Sequence, residues 1–168
     1  MGKSLASLLV LGLILLVGQA GNLPLPQGGA PITVPHVESS VCKSDPKDHV
    51  YNPDRLTLVD PCIQVTGTIE VIRNEPDGDY HILLKLDPDF ENLVNDGNKK
   101  LQRGDLVLEP VCELTVTQAD AVSSCVGFSS DVPKPTVGAH VVVIGPYVLD
   151  TEHSDWAEIH PAWRIDPI

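Results

Sequence analysis

Ile63, Val65, Gly67, Ile69 and Val71 alternate with Gln64, Thr66, Thr68, Glu70 and Ile72, a period of two that predicts a long strand with one buried face. Gly67, in the middle of that run, predicts a bulge or a sharp bend. Pro76-Asp77-Gly78-Asp79 has the residues of a tight hairpin turn. The returning strand, Tyr80 to Asp87, puts Ile82, Leu84 and Leu86 on one face and His81, Leu83 and Lys85 on the other. Pro88 to Arg103 is mixed, with room for one helical turn and a loop tip at Asn95-Asp96-Gly97-Asn98. A third strand is predicted over Asp105 to Cys112, a fourth over His140 to Leu149 and a last one from Trp156 to about Ile165. Thr117-Gln118-Ala119-Asp120 reads as a helix start capped by Thr117, with the helix ending near Cys125.

The predicted order is β-β-β-α-β-β. With its glycine-bent first strand, it resembles the OB-fold, a small five-stranded barrel with one short helix between strands 3 and 4. A small β-sandwich is the competing architecture. The segments VTGTIEVIRNEPDGDYHILLKLD and HVVVIGPYVLDTEHSDWAEIHPAWRI also resemble a group of small exported OB-fold-like proteins. The resemblance spans Cys62 to Ile165, implies the fold and carries no activity with it.

Upstream the pattern changes. Lys3, an apolar run from Leu8 to Val17 and the small residues of Gly18-Gln19-Ala20 predict a signal peptide over 1–20. That run falls short of the roughly 20 apolar residues a membrane span needs, so no span is expected in the mature chain. Residues 21–61 read as a Pro/Gly-rich leader and a wrapping segment, and 62–168 as the barrel domain. The reading is therefore of a secreted or extracytoplasmic protein. In that compartment Cys42, Cys62, Cys112 and Cys125 point to disulfides. Three connectivities are open; Cys42–Cys62 with Cys112–Cys125 is favoured because each pair closes a short local loop.

Charge narrows the partners. Eleven Lys+Arg against 23 Asp+Glu give a net charge of −12. An acidic chain opposes the approach of a phosphate backbone, and Lys99-Lys100 with Arg103 is the only basic group, so nucleic acid is not the expected partner. An unknown protein, a saccharide or a small molecule remains. A calcium-dependent nuclease of OB type would need an arginine and carboxylate constellation, and Arg55, Arg73, Arg103 and Arg164 show no spacing that marks one. The acids at Asp87, Asp89 and Glu91 fail the EF-hand pattern, because Asn92 and Asn98 stand where Gly and Glu are required. No nucleophile elbow or phosphate-binding glycine loop occurs.

The densest polar group surrounds the last hairpin: Asp150, Glu152, His153, Asp155, Glu158 and His160. On a strand, Trp156, Glu158 and His160 share a face. Tyr80, His81, Trp156, Glu158 and His160 are the candidate ligand face of a non-catalytic binding module. His153, Glu158 and His160 offer nitrogen and oxygen donors suited to a divalent metal, the basis of an alternative hydrolase or metal-carrier reading. No cofactor is otherwise expected. The plainer expectation is that Glu158 and His160 pair on the surface, that His81 is half-exposed and that His36 and His49 are solvated.

Overall fold

A computed structural model describes residues 33–168 apart from 39 and 43. The expected signal peptide and the leader through residue 32 lie outside the described residues. Among the described residues, no helix is long and apolar enough to cross a membrane.

The structure is mainly β, with a single six-stranded sheet: β1 (Leu56–Asn74), β2 (Tyr80–Leu86), β3 (Leu106–Leu108), β4 (His140–Asp150), β5 (Trp156–Ile159) and β6 (Arg164–Pro167). The first part of β1, Leu56 to Thr68, pairs with β4, and the second part, Gly67 to Asn74, pairs with β2. β2 then pairs with β3, β3 lies parallel to β5, and β5 is antiparallel to β4. β6 pairs with β4 over Val141 to Ile144. Disulfides join Cys42 to Cys62 and Cys112 to Cys125, the favoured connectivity.

Period-two burial organises the packing. Tyr80, Ile82, Leu84, Leu106, Leu108, Ala157 and Ile159 belong to one large apolar core, whereas Leu83, Val107 and Trp156 form a second, smaller group. Adjacent residues on β2, β3 and β5 thus enter different clusters, as opposite faces of a sheet require. Gly67 sits where β1 is paired on both sides, to Leu86 and to Val141. A Cβ there would collide with the Lys85 carbonyl, so close backbone approach, rather than a bulge at Gly67 itself, explains the glycine.

Four expectations are corrected. The register slips between Ile69 and Val71, and the extra residue reverses the alternation, so Val71 packs with Leu83 and Trp156 while Ile69 stays in the main core. β1 begins already at Leu56, upstream of Cys62. The predicted last strand is two strands, because Pro161 has no N–H to donate to a ladder and pairing stops at Ile159. The α-helix, α1 (Asp96–Leu101), lies between β2 and β3 rather than between β3 and β4. Only a 3₁₀ turn, Val122–Cys125, forms in the predicted helical segment. Thr117 and Gln118 give their N–H groups to the Pro76 carbonyl at 2.8 and 2.9 Å, which ties this stretch to the β1–β2 turn.

Candidate functional site

The second face of the sheet gathers the charges. Cross-strand partners share a face, and the pairs Arg73 with His81, Val107 with Glu158, and Asp150 with Trp156 all lie on this side. The β1 bulge brings Arg73 there. Arg55 arrives from the 3₁₀ turn before β1, Glu109 from just beyond β3 and His160 from just beyond β5. α1 supplies Gln102 at its C-terminal end, and it is seated by Asn98, whose fully buried side chain donates to Asp105 O and Ala157 O and accepts from Ala157 N.

Glu109 is the hub. Its Oε1 lies 3.1 Å from His81 Nδ1, and its Oε2 lies 3.7 Å from Arg55 Nη2 and 3.3 Å from His160 Nε2. Arg55 also donates to Asp150 and comes within 3.9 Å of Glu158. The Trp156 indole N–H donates to Glu158 at 2.7 Å. His81 Nε2 faces the Gln102 amide oxygen at 3.1 Å, so both of its nitrogens meet oxygen acceptors, an arrangement that favours the protonated ring.

The protonation states follow from burial and neighbours. Burial opposes ionisation of Glu109, yet the hydrogen bond from His81 and the neighbouring His160 and Arg55 hold the carboxyl down at about 2. Burial, reinforced by the Glu109 charge, pushes Glu158 well above the usual carboxylate range. The same two causes, with Asp77 added, raise Asp79 to about 8. Burial lowers the His160 imidazole. For His81 and Arg55 burial acts downward, but the facing carboxylates prevail and both are raised.

Above this network opens a cavity of about 290 Å³, whose walls include Arg55, Arg73, His81, Gln102, Glu109, Gln118, His153 and Trp156. A wider hollow of about 440 Å³ near α1 is bordered by Lys85, Glu91, Lys99 and Arg103. Those four side chains are exposed, and the buried part of its lining is Leu86 and Asp105.

The expected ligand face is divided. His81 and Trp156 line the cavity, and His81 is buried rather than half-exposed. Trp156 stacks on His153 at 4.6 Å and is only 8% exposed, which leaves little open ring for a ligand. Tyr80 faces the opposite side, in the main core. Glu158 and His160 are fully buried beneath the floor and do not form a surface pair. Of the expected metal trio, His153 sits at the rim, half-exposed, with Nδ1 2.8 Å from Asp150. Among the described residues, the acidic, histidine and cysteine ligand atoms that converge within 4.8 Å are those of Asp79, Glu109 and His160, and of Asp79, Cys112 and Cys125. The second set has no thiolate, since its cysteines form a disulfide. His49 is not simply solvated; it stacks on Phe128 at 3.5 Å.

No protein-family model matches the chain, and no curated protein or solved structure is significantly similar to it.

Arg55, Glu109, Gln102 and Asp79 escaped the sequence reading as site residues. Glu109 did leave a signal, a lone charge within the apolar run 106–112. Arg55 left none, because its partners stand about 50 to 100 positions away.

Proposed function

We propose that this chain is an exported, disulfide-braced OB-fold-like barrel that works as a binding module for a small, hydrogen-bonding ligand such as a saccharide unit. Pairing that runs from β1 through β2, β3, β5 and β4 back to β1 supports the barrel. Two disulfides suit an oxidising compartment. The observation that carries the binding reading is the cavity. Donors and acceptors (Arg73, Gln102, Gln118, Glu109) line it, and the groups of its floor are held in place by partners beneath. The fixed polar floor of His81, Glu109 and Gln102 orients a ligand without a large ordering cost. A cavity of this size takes a small molecule or one projecting residue, not a broad protein surface. The groups best able to move a proton are committed elsewhere, His81 at both nitrogens and Glu158 and His160 by burial.

The test is saturation-transfer NMR of the oxidised protein against monosaccharides, disaccharides and free amino acids. We expect at least one class to be saturated, with the signal lost in Gln118→Ala and Arg73→Gln. Silence across the panel, or binding indifferent to both substitutions, would end this reading.

A hydrolytic reading has one specific observation behind it. Asp150 accepts from His153 Nδ1, while His153 Nε2 makes no hydrogen bond among the described residues and belongs to a residue of the cavity wall. A carboxylate that orients an imidazole in this way prepares it as a general base. Slow turnover of a bound sugar or ester in the NMR sample, absent in His153→Asn, would favour this reading over simple binding.

A further inference from the structure

Beneath the cavity floor, His160 is fully buried; its ring lies against the Pro46 backbone, and among the described residues neither ring nitrogen makes a hydrogen bond of good geometry. Its Nε2 lies 3.3 Å from Glu109 Oε2, outside hydrogen-bond geometry. A buried polar atom left without a partner costs about 1–3 kcal/mol, so native folds rarely leave one unless something else completes it.

Two carboxylates complete the surroundings. One ligand atom from each of Asp79, Glu109 and His160 lies within 4.8 Å of the others, and all three residues are buried. They come from three separate places: the β1–β2 turn, the end of β3 and the end of β5. Both carboxylates are oriented from behind. Asp79 Oδ1 accepts from the Cys112 N–H at 2.7 Å, and Glu109 Oε1 faces His81 Nδ1 at 3.1 Å. Such outer contacts are the usual means by which a metal ligand is held in position.

We propose that Asp79, Glu109 and His160 form a divalent-metal site of one imidazole and two carboxylates just beneath the floor of the cavity, suited to zinc. Three protein donors are the number a zinc site keeps when its fourth position is left for water or a ligand. Glu109 is both a donor here and part of the cavity wall, so the ion would be reached from the cavity. The site differs from the His153 trio suggested by sequence spacing and does not depend on which ligand the cavity takes.

The experiment uses the full oxidised protein, stripped with chelator and titrated with zinc alone. We expect one equivalent bound, by calorimetry and by metal analysis after gel filtration. Asp79→Asn should weaken it roughly tenfold or more, and His153→Ala should leave it unchanged. Glu109→Gln tests the second carboxylate. Because substitutions of buried groups can compromise folding, nitrogen-15 shifts of the wild-type imidazoles provide a readout without mutation: His160 must respond to zinc and His153 must not. No uptake at millimolar zinc, uptake abolished by His153→Ala, or a silent His160 would each overturn the proposal. Loss of sugar binding with zinc uptake intact would count against the binding-module reading alone.

Discussion

Arg55 meets Asp150 in a buried ion pair because Leu56, the residue after Arg55, is the cross-strand partner of Asp150. The sheet register therefore decides where the guanidinium is delivered, and the side chain then reaches Glu109 and Glu158 as well. Removing one partner of a buried pair leaves the other charge uncompensated, which costs about 3–5 kcal/mol. Asp150→Asn should lower stability by that order in urea unfolding. Arg55→Met combined with Asp150→Asn should be less damaging than the two single losses added together. Strict additivity would mean that the pair is not coupled.

Asn98 holds α1 to β5. Its side chain bonds the main chain at Asp105 and on both polar atoms of Ala157. Asn98→Ala would strand these three groups and the Asn95 N–H, which also donates to the Asn98 side chain, with a cost on the order of 3 kcal/mol. The Ala157 amide should exchange much faster in hydrogen-exchange NMR, and Gln102 should loosen from His81 with it. An unchanged Ala157 amide would count against this role.

Tyr147 sets an alkaline limit. Its hydroxyl is buried, donates to Leu93 O at 2.5 Å and is pushed up to about 12 by desolvation. The ordinary value for a tyrosine hydroxyl is 10.0. Between these two values the unfolded chain releases this proton and the folded chain keeps it, so stability must fall as pH rises across that interval. Below it, Tyr147 contributes no slope. Absorbance titration should show one of the three tyrosines ionising only near pH 12 or on unfolding. Tyr147→Phe should flatten the alkaline fall while costing about 1 kcal/mol at neutral pH. A steep fall retained in the Phe variant would place its cause elsewhere.

Gly67 is the point where β1 passes from one neighbour to the other. A methyl group there would strike the Lys85 carbonyl, a backbone atom with little freedom to give way, and would touch Leu84 at 3.0 Å. Gly67→Ala should lose about 1–3 kcal/mol, seen as a lower melting temperature. Gly104→Ala gives the contrast: a Cβ there meets nothing within 4 Å, but the residue sits at φ +88, so any loss comes from backbone strain alone.

Alternation of apolar residues located β1, β2 and β4 because a half-buried strand imposes period two on its sequence. It misassigned Val71 because a bulge inserts one residue without leaving a mark on composition. The helix expected at Thr117 rested on capping chemistry, yet that segment's N–H groups found the Pro76 carbonyl and Cys125 was tied to Cys112. α1 uses a similar cap: Asn95 accepts from Gly97 and Asn98 in a segment that read as a loop tip. Local propensity was available at both places, and long-range contacts chose between them.

Local chemistry in the chain was enough to indicate a β-rich fold, the hairpin at Pro76-Asp77-Gly78-Asp79, the pairing of the four cysteines and the polar character of the last hairpin. Each depends on residues close together in sequence, whose spacing is set by strand geometry or short-loop closure. The convergence of Arg55, Asp79, His81, Glu109, Asp150, Glu158 and His160 was settled by folding alone. Their positions depend on which strands become neighbours and in what register, and one bulge is enough to move a side chain to the other face. Burial then separated the protonation states, pressing Glu109 down and Glu158 up, because desolvation and neighbouring charges exist only once the strands have met.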